Sequence, residues 1–153
     1  MFPDGWLALV LSNPYRVDWL KPDGSRIHGA PLPYQRIKAT HEEKVASIDR
    51  YGAKFPGLQL DASEYPGWPE FVPPFPNQAL IALTDGRLAI ARMATSKSTT
   101  QRYDIVDRTG KLTARLEVPV DSRIVAFGRE SVYVVTRDEF DLEHVTRHAL
   151  PRL

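Results

Sequence analysis

A hairpin pattern that occurs twice is the feature of this chain that most constrains its fold. The first copy, RVDWLKPDGSRIHGAPLP, spans residues 16–33, and the second, RYDIVDRTGKLTARLEVP, spans residues 102–119. The copies share an arginine, an aspartate, a turn glycine and a closing proline, at Arg16/Arg102, Asp18/Asp104, Gly24/Gly110 and Pro33/Pro119. Apolar stretches on both sides of a glycine turn are typical of an antiparallel β-hairpin. The pattern favours a fold built from repeated β units, with chance similarity between two hairpins as the alternative.

Strand signals also fill much of the rest of the chain. Residues 79–94 contain two apolar runs around Asp85 and Gly86, which is a hairpin turn signal. Residues 112–118 alternate strictly between apolar and polar side chains, the period of a half-buried strand. Short β-branched runs follow in residues 123–150. The sequence therefore predicts an all-β fold of nine or ten short antiparallel strands.

The segment between the two copies, residues 34–76, is an insert of different character. Thr40 followed by Glu43 is a capping box, so one short helix is predicted near residues 40–51. The remainder of the insert is rich in proline, which cannot donate to a sheet ladder, so a crossing loop is predicted there. Its aromatic side chains either pack beneath the sheets or bind a partner. The candidate partner-binding residues are Trp6, Tyr65, Trp68, Phe71 and Phe75.

Composition excludes several classes of function. The chain has no cysteine, so disulfides and cysteine-ligated metal sites are excluded. Its formal net charge of +1 provides no broad electrostatic footprint for nucleic acid or an anionic membrane. No stretch approaches the roughly 20 apolar residues that cross a bilayer, and the apolar run at residues 6–11 lacks the basic leader of a signal peptide. Its 153 residues are the size of one domain, assigned to residues 1–153.

Motifs that would carry chemistry each have a simpler structural interpretation. His144 and His148 have the spacing of two metal ligands on a helix, but in a strand they lie about 13 Å apart. The acidic stretch at residues 138–143 lacks the glycine and spacing of a calcium loop. The polar run TSKSTTQR, residues 95–102, lacks the clustered glycines of a phosphate loop and is interpreted as a solvated loop. We therefore predict no catalytic residue, no metal and no cofactor, and a protein that is not an enzyme.

Three successive stretches carry a resemblance to a known family. They are FPNQALIALTDGRLAIAR, YDIVDRTGKLTARLEVP and AFGRESVYVVTRDEFDLEHVTRHAL. In this order they resemble the C-terminal part, about half, of bacterial six-bladed β-propellers of the TolB-like and NHL-like kind. The resemblance implies a partial blade at residues 6–33, a complete four-stranded blade at 77–119 and a partial blade at 122–150. It also implies export to the periplasm, whereas the lack of a recognisable signal peptide favours the cytoplasm.

Half of a ring leaves strand edges uncovered, and this favours a binding function. Exposed edges pair with another chain unless they are covered, and the edges expected here are residues 6–12 and 144–150. The sequence thus predicts a non-catalytic scaffold or interaction subunit that binds other protein subunits, a membrane-associated complex being one alternative and self-association another. A ligand-binding or hydrolase-like propeller remnant is the alternative function, and a split or truncated gene product is a third interpretation.

Overall fold

The structure, a computed structural model, describes residues 1–52, 61–63 and 67–151 and is mostly β. Ten strands and one helix lie in these residues. In chain order they are β1 (Leu7–Ser12), β2 (Tyr15–Leu20), β3 (Arg26–His28), α1 (His41–Gly52), β4 (Leu80–Ala82), β5 (Leu88–Ala91), β6 (Thr100–Val106), β7 (Leu112–Pro119), β8 (Arg123–Phe127), β9 (Ser131–Arg137) and β10 (Glu143–Ala149). The predicted number of strands and the single helix are confirmed for the described residues.

The strands form three small antiparallel sheets, with the orders β1-β2-β3, β4-β5-β6-β7 and β8-β9-β10. All neighbouring strands are consecutive in the chain, so each sheet is a simple meander. We call them the first, middle and third sheets. Among the described residues the sheets form no closed ring or propeller arrangement.

Both copies of the repeated hairpin form antiparallel strand pairs, β2 with β3 and β6 with β7. Each pair turns at a glycine with positive φ, 83° at Gly24 and 81° at Gly110, a conformation that glycine adopts without steric cost. In the second turn the Asp107 carboxylate accepts hydrogen bonds from the amides of Thr109 and Lys111. The repeat seen in the sequence is therefore also a repeat of local structure.

The centre of the middle sheet, formed by β5 and the second half of β6, is buried on both faces. On one face Leu88, Ile90 and Val106 pack against Val17 and Trp19 of the first sheet, and we call this cluster the first core. The opposite face packs against the third sheet through a second cluster, formed by Ala89, Tyr103, Ile105, Ile124, Phe127, Val132 and Val134. Two cores thus hold the three sheets face to face, with the middle sheet between them.

Helix α1 begins after Thr40, whose hydroxyl accepts a hydrogen bond from the Glu43 amide at 3.4 Å. The capping box is only half formed. The Glu43 carboxylate binds Ser96 instead, accepting from its amide at 3.1 Å and from its hydroxyl at 2.7 Å. A charge-assisted hydrogen bond to a hydroxyl and an amide together outweighs the single amide bond that a capping box supplies. The helix is thereby joined to the segment that follows β5.

Candidate functional site

Two of the predicted partner-binding residues, Trp6 and Phe75, belong to the first core. Trp6 meets Trp19 edge to face, with ring centroids 6.1 Å apart, and the Arg108 guanidinium lies 4.6 Å from its ring centroid. Phe75 packs against Tyr15, with centroids 6.0 Å apart. Both side chains are partly buried against this core. Both side chains contribute to packing, which for Phe75 is the alternative that the sequence left open.

Trp68 and Phe71 lie in the insert and are half-buried. The Trp68 indole donates a hydrogen bond to the carbonyl of Ala62 at 2.8 Å. Phe71 forms an isolated antiparallel bridge with Lys38, and the Arg36 guanidinium lies 3.7 Å from its ring centroid. These two aromatic residues therefore keep part of their surface accessible. Tyr65, the fifth predicted residue, lies outside the described residues.

Within the part of the chain that the structure describes, the edge strand β10 leaves a row of backbone groups unpaired. Its neighbour is β9, and it ends the order of the third sheet. The amide of Leu150 donates to the carbonyl of Glu130, and Asp138 and Leu142 face each other in the same register. Because hydrogen-bonded pairs alternate in an antiparallel ladder, even-numbered residues of β10 bond β9. The backbone groups of the odd-numbered residues point outward, namely those of Glu143, Val145, Arg147 and Ala149.

Every residue of β10 is exposed, so neither face of this strand is covered by another element among the described residues. Val145 is 65% exposed, and Phe140 and Leu142 in the preceding turn are 75% and 59% exposed. The carboxylate of Glu143 pairs with Arg123 at 2.9 Å and Arg137 at 3.2 Å, and hydrogen bonds from these two arginines lower its pKa. Ion pairs therefore hold the hairpin in shape while its edge stays open.

A second edge, β1, carries an apolar row. Leu7, Leu9 and Leu11 project on the face directed away from the first core and are 36%, 44% and 36% exposed. The residues between them, Ala8 and Val10, pack against that core. Both edges predicted from the sequence are thus terminal strands of their sheets.

The aspartates of the two hairpins are buried and paired. Asp104 is fully buried, and its carboxylate binds Arg92 at 2.8 Å, Arg115 at 3.1 Å and the Tyr15 hydroxyl at 3.1 Å. Burial, and next the Asp104 charge, raise the pKa of Tyr15 far above its ordinary value. The Arg92 guanidinium lies 4.7 Å from the ring centroids of both Tyr15 and Tyr34. This cluster joins the first and middle sheets.

Asp18 occupies the corresponding position in the first hairpin. Its carboxylate binds Arg16 and His28, each at 3.0 Å, and accepts from the amide of Gly29 at 3.2 Å. Desolvation by burial opposes ionisation here, but the hydrogen bonds from Arg16 and His28 hold the pKa of Asp18 below its ordinary value. The shared aspartate is therefore an anchor for neighbouring basic side chains in both hairpins.

Beside the Asp104 cluster lies an open cleft of about 420 Å³. It is lined by residues that follow β3, by the segment between β5 and β6, and by both strands of the second hairpin. From the sequence, residues 95–102 are predicted to form a solvated loop. In the structure several of these residues line the cleft. Neighbouring arginines on paired strands, Arg102 on β6 and Arg115 on β7, are the sequence signal that would have indicated it.

The histidines do not share a ligand. His144 Nε2 lies 2.7 Å from the Asp138 carboxylate, and His148 Nε2 lies 2.9 Å from the Thr146 hydroxyl. Within residues 1–52, 61–63 and 67–151, no group of three or more histidine and carboxylate side chains is placed to hold a metal ion. In the same residues no helix has the length and apolarity needed to cross a membrane.

The resemblance to six-bladed propellers concerns the order and spacing of short motifs that are individually common. Stacked antiparallel meanders with glycine turns satisfy the same motifs without a ring. A match to a known propeller protein would support a ring, and a match to another fold would support stacked meanders. Comparison with protein-family models, with curated proteins and with solved structures gives no match for this chain.

Proposed function

We propose that this protein is a non-catalytic interaction subunit that binds an extended segment of another protein by adding it as a strand beside β10. The observation that carries the proposal is the open edge of β10, seven residues long and exposed throughout. At about 3.4 Å per residue it offers roughly 24 Å of unpaired backbone. Strand addition of this kind draws affinity from main-chain hydrogen bonds and specificity from alternate side chains.

The partner segment is expected to alternate in polarity. On one face of β10 the side chains of Glu143, Val145 and Arg147 are presented in that order. A complementary strand would place an apolar side chain beside Val145, flanked by charges opposite to those of Glu143 and Arg147. The pattern selects an extended segment with a single apolar centre and mixed charge.

The numbers of strands in the three sheets support the proposal of an assembly role. The strand numbers of three, four and three agree with strands two to four of one blade, all of a second and most of a third. We propose that each sheet is a blade-like unit and that both terminal sheets remain open to further contacts. Uncovered edges and faces then become the binding surfaces of the subunit.

Replacing Val145 with proline is expected to abolish partner binding while preserving the fold. Proline removes an outward amide and adds a ring at the open edge, but it removes no hydrogen bond to β9. The control is Val145→Thr, which keeps the amide and the β-branched shape. Tagged protein would be purified from extract of the source cells, and bound subunits compared between variants by native mass spectrometry. Equal recovery of the same subunit by Val145→Pro and wild type would refute strand addition at β10.

The insert is proposed as a second part of the binding surface, through Trp68 and Phe71. Aromatic anchors at interfaces typically cost about 2 kcal/mol or more of binding free energy when truncated. For the double variant Trp68→Ala/Phe71→Ala, the dissociation constant of the partner complex is therefore expected to rise at least tenfold. The thermal unfolding midpoint should stay close to that of wild type, because both side chains are only half-buried. A large fall in that midpoint would instead assign both residues to packing, and unchanged partner recovery would locate the interface elsewhere.

A further inference from the structure

The cleft beside the Asp104 cluster gathers positive charge on one face of the middle sheet. Four of its lining residues are cations, namely Arg92, Lys97, Arg102 and Arg115. The register explains the convergence: Arg102 pairs with Glu117, and Asp104 pairs with Arg115, in adjacent rows of β6 and β7. The first sheet covers the same face nearer the Gly110 turn, where Val106 and Leu112 join the first core. The two charged pairs, Arg102 with Glu117 and Asp104 with Arg115, therefore lie at the end of the part of the middle sheet that the first sheet covers.

The carboxylates near the cleft pair with its cations but do not line it. Asp104 is shared by two arginines, Arg92 and Arg115. Arg102 pairs with Glu117 near the surface, and Lys97 reaches Glu42 only at 3.9 Å. The Glu43 carboxylate is bound by the amide and hydroxyl of Ser96. Among the described residues that line the cleft, none is an aspartate or a glutamate. The cleft is therefore suited to an anion.

Several hydrogen-bond donors of the lining are also available. Arg102 and Arg115 each bind their carboxylate through Nε, at 2.8 and 3.1 Å, and their terminal Nη groups make no hydrogen bond with any described residue. Thr99 and Lys97 supply a hydroxyl and an ammonium from the same lining, and Lys97 is 80% exposed. Two guanidinium forks with an ammonium and a hydroxyl suit the several oxygens of a phosphate group.

Apolar side chains also contribute to the lining. They are Ile37, Met93 and Pro33, together with Tyr34, whose hydroxyl donates to the carbonyl of Val72 at 2.8 Å. A volume of about 420 Å³ lies in the ordinary range for small-molecule sites. We propose that this cleft binds a phosphate-bearing small molecule, with the phosphate on Arg102, Arg115 and Lys97 and the remainder of the ligand against the apolar lining residues.

Inorganic pyrophosphate is the probe, titrated into the full chain at low ionic strength and followed by calorimetry and by ¹H–¹⁵N NMR. We expect saturable binding of one pyrophosphate per chain, with amide shifts concentrated in residues 92–102 and at Arg115. Arg102→Gln and Lys97→Gln should each weaken binding about tenfold, equivalent to about 1.4 kcal/mol. Neither substitution removes a partner of the buried Asp104, so both variants are expected to fold.

The matched control is Arg123→Gln on the third sheet. Arg123 also pairs with a glutamate and is exposed to a similar degree, 55% against 51% for Arg102. Arg123→Gln should bind pyrophosphate as wild type does. The proposal is overturned if pyrophosphate does not saturate, if Arg123→Gln weakens binding as much as Arg102→Gln, or if citrate binds at least as tightly as pyrophosphate. The last result would assign the cleft to carboxylates.

Discussion

Asp104→Ala is expected to destabilise the protein by about 3–5 kcal/mol, because it leaves two cations without their buried carboxylate. Arg92 is only 15% exposed, and the Tyr15 hydroxyl would lose its acceptor as well. The measurement is the free energy of unfolding from urea denaturation of wild type and variant. A two-state transition with an unchanged dependence on denaturant would show that stability alone has changed.

The repeat provides an internal control for this prediction. Asp18→Ala removes the corresponding carboxylate, but its partners Arg16 and His28 are 30% and 66% exposed and can be solvated by water. We expect a loss of only about 1–2 kcal/mol there. Equal losses for Asp18→Ala and Asp104→Ala would show that burial of the partner side chains does not determine the effect.

Gly110→Ala is expected to cost about 3 kcal/mol or more, the second of the large effects. The residue has φ of 81°, where a side chain costs roughly 1–2 kcal/mol. A β-carbon at this position would also overlap the backbone of Gly29 and lie 2.9 Å from the carbonyl oxygen of Val17. Backbone atoms cannot move aside as a flexible side chain does, so overpacking adds about 1–3 kcal/mol.

Gly24→Ala separates the two contributions to that loss. Gly24 has nearly the same φ, 83°, but a β-carbon there would meet no atom within 4 Å. Only the conformational cost of roughly 1–2 kcal/mol should remain. Urea denaturation of both variants tests the difference, and a Gly24→Ala loss as large as that of Gly110→Ala would show that sheet packing contributes nothing.

Local features of this fold could be predicted from the sequence because neighbouring residues determine them. Glycine turns, strict alternation and the Thr40 cap each act over a few residues, and they located the hairpins and the start of the helix. The edge positions expected for residues 6–12 and 144–150 also agree with β1 and β10, which are terminal strands of their sheets. Prediction succeeded where the determining contacts were local.

The candidate sites could not be predicted to the same extent because they depend on contacts between distant segments. Glu43 binds Ser96 across 53 residues, and Tyr15 binds Asp104 across 89. Aromatic and proline-rich composition does not distinguish a packed side chain such as Phe75 from a docking one, since both favour large apolar rings. The cleft likewise became visible only when the insert and the second hairpin were placed beside each other.

Burial of the middle sheet on both faces has a consequence for how the molecule opens. Ala89, Ile90, Ile105 and Val106 have no exposed surface, so the amides in the buried parts of β5 and β6 become accessible only when a neighbouring sheet detaches. Hydrogen exchange in these two strands should require the free energy of global unfolding, whereas β10 should exchange by local fraying. If β10 frays alone, it can exchange one pairing strand for another while β5 and β6 stay folded. We therefore expect β5 and β6 to unfold cooperatively and β10 to open independently of them.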